Sequence, residues 1–262
     1  MKSVAGARVV ITGGGSGIGA ALATRFAADG ARVVVNDINA EAAATVAKAV
    51  GGTAVPADAA SEDGVARLVA AATESLGGID LFCANAGVGR PGGLDMPADE
   101  QEADWELSWQ VNVMAHVRAA RQLLPAWLER GSGHLICTVS AAGLLTLLGS
   151  APYAVTKHAA LSFAEWLAAT YKHRGVTVQA LCPQGVRTPM LADSGPVGRT
   201  LLDQDAISPE AAADAVVAGI ADGRFLILPH PEVAQMYANR AADPDRWLGG
   251  MNKLQRRIEG LA

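Results

Sequence analysis

Short apolar runs alternate along the chain with longer, alanine-rich segments of helical period. Seven runs rich in β-branched residues predict strands buried on both faces, because their hydrophobicity is nearly continuous. These runs cover residues 7–12, 31–36, 52–57, 79–84, 133–140, 176–182 and 224–228. Helical patterns fill the intervals at residues 17–29, 40–50, 61–76, 100–130, 152–173 and 209–222. The alternation predicts an α/β protein with a doubly wound, seven-stranded parallel sheet and helices on both faces.

Two segments depart from this alternation. Residues 185–208 have no clear periodicity beyond one short helical possibility, and so long a connection in a compact domain predicts a substrate lid. From about residue 230 to 262 the chain carries apolar residues at helical spacing, which predicts a helical extension packed on its own domain or on a second subunit. No linker rich in Pro, Gly or Ser divides the chain, so we expect one domain over residues 1–262.

The composition narrows the possible partners. The 262-residue chain has a net charge of −5 and scattered Lys and Arg residues, which argues against nucleic acid and anionic membrane surfaces as partners. No apolar run is long enough to span a bilayer and no secretory signal is recognisable, so we expect a cytoplasmic protein. Three cysteines and five histidines are dispersed, which predicts neither a disulfide framework nor a metal site.

A glycine cluster, "TGGGSGIG" at 12–19, joins the first predicted strand to the first predicted helix. Glycines let the backbone approach a pyrophosphate closely, and a helix N-terminus offers unpaired N–H groups and a positive dipole end. The cluster therefore predicts a dinucleotide-binding turn. Its expected cofactor-binding residues are Gly13, Gly15, Ser16, Gly17, Ile18 and Gly19.

Asp37 ends the second predicted strand, in "VVVNDINA". An acid at this position suits a ribose with free 2′- and 3′-hydroxyls and repels a 2′-phosphate. No Arg or Lys lies in the glycine cluster or flanks Asp37. The pattern favours NAD(H) over NADP(H) as the cofactor.

Tyr153 and Lys157 lie four residues apart in "SAPYAVTKHAAL", so they share one face of a predicted helix. A free phenol has a pKa of about 10 and is a poor base at neutral pH. Because a nearby cation favours the tyrosinate, we interpret Lys157 as lowering the pKa of Tyr153. Ser140 ends a predicted strand and can donate a hydrogen bond to a substrate oxygen.

Together these features resemble the classical subgroup of the short-chain dehydrogenase/reductase family over about residues 5–230. The matching motifs are "TGGGSGIG" at 12–19, "NAG" at 85–87, Asn112 in "WQVNVMAH", Ser140 in "CTVSAAG" and "YAVTK" at 153–157. The resemblance implies a single-domain Rossmann fold and an NAD(H)-dependent oxidoreductase that interconverts a secondary alcohol and a ketone. It also implies a homo-oligomer, a tetramer or a dimer.

The resemblance assigns roles to the matching positions. Tyr153 is implied as the acid/base, Lys157 as the cation that shifts its pKa and binds ribose, and Ser140 as the polariser of the substrate oxygen. Asn112 is implied to hold a water in a proton relay. The remaining implied cofactor-binding residues are Asp58, Ala59, Asn85, Ala86, Gly87, Pro183, Val186 and Thr188, together with Tyr153 and Lys157.

The chain departs from the family pattern after Pro183, where Gln184 precedes Gly185 and the family has glycine directly. We hypothesise that the Gln184 side chain enters the substrate site. The loop that joins Ser140 to Tyr153 is rich in leucine, and it predicts either an apolar pocket that includes Leu144 or a contact with a neighbouring subunit. Aromatic residues on the helices of Asn112 and Tyr153 fit such a subunit contact: Trp105, Trp109, Trp127, Phe163 and Trp166.

If the leucine-rich loop lines an apolar pocket, the predicted substrate is a hydrophobic or aromatic ketone or alcohol. Two other enzymes remain open, a 3-oxoacyl thioester reductase and a polyol dehydrogenase. A third alternative is a catalytically silent protein that only senses NAD. Such a sensor needs the glycine turn and Asp37 but not Ser140, Tyr153 and Lys157, whose presence favours an enzyme.

Overall fold

The computed structural model describes residues 1–90 and 97–260. The last two residues of the predicted C-terminal extension lie outside this range. Seven strands run through the described chain in a single sheet. They are β1 (Arg8–Ile11), β2 (Arg32–Val35), β3 (Thr53–Ala54), β4 (Leu81–Ala84), β5 (Gly133–Thr138), β6 (Val176–Leu181) and β7 (Leu226–Ile227).

Eleven α-helices are present in the same residues. They are α1 (Gly17–Ala28), α2 (Ala40–Ala49), α3 (Glu62–Leu76), α4 (Ala98–Trp109), α5 (Ala115–Arg130), α6 (Ala151–Tyr171), α7 (Pro189–Ala192), α8 (Gly195–Leu202), α9 (Pro209–Asp222), α10 (Glu232–Ala242) and α11 (Pro244–Ile258). A π-helical turn (Gln110–Met114) joins α4 to α5, and a 3₁₀ turn (Ala141–Gly143) follows β5.

The strands are all parallel and lie in the order β3-β2-β1-β4-β5-β6-β7. The strand order reverses between β1 and β4, and in open α/β sheets ligands bind at such a reversal, outside the carboxyl ends of the strands. Side chains alternate between two cores: Val10 and Phe82 pack against α3, α5 and α6, whereas Ile11 and Cys83 pack against α1 and α9. The predicted doubly wound parallel sheet is confirmed.

The long helix predicted at 100–130 is divided by the π-helical turn, which contains the buried Asn112. An extra residue in one turn rotates the following helix, and such turns occur mostly at functional sites. The strand predicted at 52–57 is shorter than expected and covers Thr53–Ala54; beyond it the Val55 N–H still donates to the Val35 carbonyl at 2.9 Å.

Trp127 corrects one expectation about the subunit contact. Its side chain is 2% exposed within the core, and its indole N–H donates to the Ile79 carbonyl at 2.8 Å. It therefore belongs to the interior of this domain and not to a surface for another subunit. Trp109 and Trp166 do remain exposed on α4 and α6.

The segment predicted as a lid contains α7 and α8, and Val186 pairs with Ile207 across its base. Beyond β7 the predicted helical extension forms α10 and α11. Val233 of α10 is fully buried in the core, so this helix packs on its own domain. Helix α11 has no fully buried residue.

Candidate active site

Side chains behind the turn between β1 and α1 hold its backbone in place. The Thr12 hydroxyl accepts hydrogen bonds from the N–H groups of Asn85 and Ala86, both at 3.0 Å. The Asn85 amide donates to the carbonyls of Thr12 (2.9 Å) and Gly13 (3.3 Å). A β-carbon at Gly19 would lie only 2.1 Å from the Gly13 carbonyl oxygen, so this closed turn requires glycine there. Asn85 thus joins the glycine turn to the end of β4.

The N-terminus of α1 and the end of β2 fit a dinucleotide. Ser16, the N-cap of α1, makes no side-chain hydrogen bond to the first turn, which leaves the N–H groups of that turn to an outside anion. On the other side of the turn the Asp37 carboxylate accepts from the N–H groups of Gly15 (3.0 Å) and Asn39 (2.9 Å). A pyrophosphate fits the helix end, and ribose hydroxyls fit the half-buried carboxylate of Asp37.

Asp58 and Ala59 follow β3 at the same edge of the sheet, the first exposed and the second buried. Asn36, at the end of β2, holds this segment because its amide donates to the carbonyls of Val55 and Ala57, both at 2.9 Å. Asn36 was not predicted from the sequence as a residue of the site. The available signal was a polar residue at the end of an otherwise apolar strand.

Asn112 is fully buried in the π-helical turn and links two other segments. Its carbonyl oxygen accepts from the Val88 N–H at 3.0 Å, and its amide nitrogen donates to the Val88 carbonyl at 3.0 Å and to the Thr156 hydroxyl at 3.1 Å. Both side-chain N–H groups are therefore in use. The predicted role of Asn112 in holding a water stays a prediction, and Thr156 is a buried partner that the sequence analysis missed.

Ser140, Tyr153 and Lys157 come together where β5 ends and α6 begins. The Ser140 hydroxyl accepts from the Ala142 N–H at 3.0 Å and so caps the 3₁₀ turn. Lys157 is 2% exposed; its ammonium donates to the Thr138 carbonyl at 3.0 Å and lies 5.5 Å from the centre of the Tyr153 ring. Gly87 borders the same ammonium, since a β-carbon there would lie 3.4 Å from the Lys157 nitrogen.

The electrostatics of this group differ from the expectation for the phenol. Burial raises the pKa of Tyr153 above 10.0, and a hydrogen bond from Ser140 lowers it by less. Burial also lowers the pKa of Lys157 from 10.5 to about 8. Burial thus dominates the pKa of Tyr153 in this structure, and the lowering expected from Lys157 together with bound NAD stays a prediction.

The segment after β6 connects the site to the C-terminal extension. The Pro183 carbonyl accepts from the Ala141 N–H at 2.7 Å. The Gln184 N–H donates to the buried ring of His230 at 3.2 Å, and the Gln184 side-chain amide donates to the Glu232 carboxylate at 2.7 Å. The Gln184 side chain is thus paired with α10, in contrast to the hypothesis that it enters the substrate site.

The same segment then reaches the glycine turn. A β-carbon at Gly17 would lie 2.9 Å from the methyl carbon of Thr188, so α1 and the start of α7 are in close contact. Val186 is buried next to this contact. The turn expected to hold the pyrophosphate therefore lies beside Val186 and Thr188, two other expected cofactor-binding residues.

The leucine-rich loop is divided between core and surface. Leu144 is 1% exposed and packs in the core, as does Leu145, so Leu144 does not line an open pocket as expected. Leu147 and Leu148 are half-buried. From α7, Met190 approaches Tyr153 across Gly89: a β-carbon at Gly89 would lie 3.7 Å from the Met190 sulfur and 3.9 Å from the Tyr153 ring.

In residues 1–90 and 97–260, no group of three His, Cys, Asp or Glu side chains is placed to hold a metal ion. Within the same residues, no helix is both long and apolar enough to cross a membrane.

The fold and the site together define a dinucleotide-binding oxidoreductase with a serine, a tyrosine and a lysine at the edge of a parallel sheet. The family model described as short chain dehydrogenase matches residues 7–196. The chain belongs to this family.

Three known proteins illustrate the similarity. The chain is 39% identical over 236 residues to a 1-deoxy-11-beta-hydroxypentalenate dehydrogenase of Streptomyces exfoliatus, covering 85% of this chain and 82% of the relative. It is 37% identical over 195 residues to a 2,5-dichloro-2,5-cyclohexadiene-1,4-diol dehydrogenase of Sphingobium indicum, covering 73% and 77%. A short chain dehydrogenase/reductase from Burkholderia phymatum, solved in complex with NAD, superposes with a TM-score of 0.83 at 29% identity, covering 94% and 96%.

Proposed function

We propose that this protein is an NAD(H)-dependent dehydrogenase that interconverts a secondary alcohol and a ketone on an apolar, ring-containing substrate. The observation that carries the proposal is the convergence of Ser140, Tyr153 and Lys157 beside the glycine turn. A protein that only senses the cofactor has no need for this group.

Tyr153, Ser140 and Lys157 are proposed to have different roles in the reaction at the substrate oxygen. In alcohol oxidation the Tyr153 oxygen accepts the hydroxyl proton, and in ketone reduction the neutral phenol donates a proton to the carbonyl oxygen. Ser140 donates a hydrogen bond to the same oxygen, where negative charge develops. When bound, NAD⁺ supplies the hydride acceptor. Lys157, which lies below the Tyr153 ring, holds the phenol in place and binds the nicotinamide ribose.

Asp37 supports NAD(H) over NADP(H). Its carboxylate lies across the glycine turn and is bonded to the Gly15 N–H, which leaves a negative charge where a 2′-phosphate would have to sit. A half-buried carboxylate there would accept hydrogen bonds from ribose hydroxyls. Asp58, Ala59 and Asn85 are proposed to line the adenine side of the same cleft.

The surroundings of Tyr153 support an apolar substrate. Met190 is 41% exposed beside the phenol, and the half-buried Leu147 and Leu148 lie in the loop that leads to it. The names of both curated relatives describe ring compounds that carry a hydroxyl group. A cyclic secondary alcohol fits this chemistry better than a polyol, which requires several polar partners.

The test is the appearance of NADH absorbance when the protein and NAD⁺ are mixed with a panel of alcohols. The panel contains cyclic apolar secondary alcohols, a sugar alcohol and a 3-hydroxyacyl thioester. We expect turnover with the cyclic alcohols and little with the other two. Turnover confined to the thioester or to the sugar alcohol would contradict the proposed substrate class. If no alcohol is oxidised with either NAD⁺ or NADP⁺, the proposed enzymatic role is contradicted.

We also propose that residues 185–208 act as the substrate lid.

The protein is further proposed to be a cytoplasmic homo-oligomer, a tetramer or a dimer. Trp166 is 55% exposed on α6 and stacks on Phe163 with ring centres 6.3 Å apart, which forms an apolar surface on this helix. Trp109 is exposed on α4, which packs against α6. Surfaces of this kind mark contacts between proteins. Light scattering after size-exclusion chromatography tests this, with Trp166→Arg expected to give smaller assemblies.

A further inference from the structure

Helix α10, in the C-terminal extension, contacts both elements that carry the reactive side chains. One guanidinium nitrogen of Arg240, Nη1, donates hydrogen bonds to the Leu144 carbonyl and, at 3.1 Å, to Nε2 of His158. Leu144 ends the 3₁₀ turn that Ser140 caps, and His158 follows Lys157 in α6. The half-buried Arg240 therefore bridges the Ser140 turn and the Tyr153 helix.

The histidine ring has only one tautomer that satisfies both of its contacts. Its Nδ1 atom lies 2.9 Å from the Ala154 carbonyl, which can only accept a hydrogen bond. Nδ1 therefore carries the proton, and Nε2 is left as the acceptor for Arg240. Through this ring the guanidinium is connected to the backbone of α6 one residue after Tyr153.

The two bridged elements are packed without space between them. A β-carbon at Gly143 would lie 2.7 Å from the Lys157 carbonyl oxygen, so the 3₁₀ turn contacts the backbone of α6 directly. A second hydrogen bond from the extension joins the same loop, because the Trp247 indole N–H donates to the Thr146 hydroxyl at 3.0 Å. A small movement of α10 is thus transmitted to the relative position of Ser140 and Tyr153.

We propose that Arg240 is a positioning residue, which sets the distance between the Ser140 hydroxyl and the Tyr153 phenol through the Leu144 carbonyl and His158. The proposal rests on the proposed function, since it gives the C-terminal extension a part in that same reaction. Ser140 lowers the pKa of Tyr153, and its hydroxyl also lies 3.4 Å from the Pro183 carbonyl, to which it can donate instead. Loosening the bridge should therefore reduce the effect of Ser140 and make the phenol a weaker acid.

The test is the titration of Tyr153 by tyrosinate absorbance in the full-length protein, alone and with NAD⁺. The chain has three tyrosines, so the Tyr153 signal is obtained by subtracting the titration of Tyr153→Phe. We expect Arg240→Ala to raise the midpoint by about half a pH unit, which is the size of effect a weakened hydrogen bond gives. Arg240→Lys, which keeps a donor, should fall between wild type and Arg240→Ala.

Two further variants keep this test decisive. Arg246→Ala removes an exposed arginine of α11 and should leave the midpoint at the wild-type value. If Arg240→Ala does not fold, His158→Phe removes one contact of the bridge and should raise the midpoint by a smaller amount. An unchanged midpoint in a folded Arg240→Ala or His158→Phe would overturn the proposal.

Turnover separates this inference from the proposed function. With an alcohol that wild type oxidises, Arg240→Ala should lower kcat about tenfold and change KM little, since misplaced reactive groups slow the chemical step. If the midpoint shifts but no alcohol is oxidised, the bridge stands and the proposed function fails. If alcohols are oxidised and neither midpoint nor kcat changes in Arg240→Ala, only the bridge is wrong.

Discussion

The ammonium of Lys157 lies 5.5 Å from the centre of the Tyr153 ring and donates to the Thr138 carbonyl at 3.0 Å. The lysine thus contacts the face of the phenol, while its charge is buried with one backbone partner. A buried ammonium loses solvation that one hydrogen bond replaces only in part. In the free protein Lys157 consequently orients the phenol and carries a cost in stability.

That cost predicts a pH dependence of stability. The pKa of Lys157 is about 8 in the folded protein against 10.5 as its ordinary value, so between these pH values the unfolded chain binds more protons. The free energy of unfolding should therefore gain a contribution that rises with pH from about 8 to 10.5, of order 3 kcal/mol in total. Urea denaturation at several pH values measures it.

Lys157→Met should lack this rise, because methionine has no group that titrates in this range. Lys172→Met, at an exposed position after α6, should keep the wild-type pH dependence. Parallel stability curves for wild type and Lys157→Met across this range would show that Lys157 is not the group responsible.

Removing the phenol oxygen tests the acid/base role. Tyr153→Phe keeps the ring over Lys157 but has no group to exchange a proton with the substrate, so alcohol oxidation should fall by at least about 100-fold. Binding of NADH, measured by its fluorescence, should stay within a few fold of wild type. Tyr171→Phe, at the end of the same helix, should retain full activity. Substantial turnover by Tyr153→Phe would remove Tyr153 from the mechanism.

The raised pKa of Tyr153 predicts opposite pH dependences for the two directions. Below its pKa the phenol is neutral and able to donate, and above it the tyrosinate is able to accept. Oxidation of an alcohol should therefore increase as the pH rises through the alkaline range, while reduction of the ketone declines. Initial rates in both directions over the same buffers provide the comparison. An oxidation rate that falls with rising pH, in protein that is still folded, would contradict this assignment.

The inner strands of the sheet were predictable because a parallel sheet with helices on both faces buries them on both sides. The runs around Val10, Val34 and Phe82 are continuously apolar, and the structure buries all three side chains. The glycine turn was predictable because its requirement is local: Gly19 has no space for a side chain. These features depend on residues that are close in sequence or that repeat with a fixed period.

The remaining parts of the site depend on contacts between distant residues. Asn112, in the π-helical turn that divides the long helix, pairs with Val88, and the pairing of Gln184 with Glu232 turns that side chain away from the site. The high pKa of Tyr153 arises from burial, which no local pattern reports. Because each effect is set by the residues that pack against the side chain, a single sequence identifies the residue but does not reveal its environment.

The cofactor preference can be tested at Asp37. Asp37→Asn removes the negative charge and keeps one oxygen that can accept the Gly15 N–H, while the bond from the Asn39 N–H is lost. Affinity for NADH should fall about tenfold, as expected for loss of charge-assisted hydrogen bonds to ribose. Affinity for NADPH should rise, because a 2′-phosphate no longer meets a carboxylate. Asp29→Asn, after α1, is the control, and an unchanged ratio of the two affinities would exclude Asp37 from cofactor selection.

The buried Asn112 allows a test that links stability to the arrangement of the site. Asn112→Ala leaves the N–H and the carbonyl of Val88 without their side-chain partner in the interior. Buried polar groups left unpaired in this way should lower the free energy of unfolding by about 3 kcal/mol. Activity should fall by more than the unfolded fraction of the protein accounts for. The reason is that Thr156 in α6 loses its hydrogen bond to Asn112, which connects α6 to the segment after β4. Asn252→Ala, exposed on α11, should change neither quantity, and a stable, fully active Asn112→Ala would show that this side chain does not hold the two segments together.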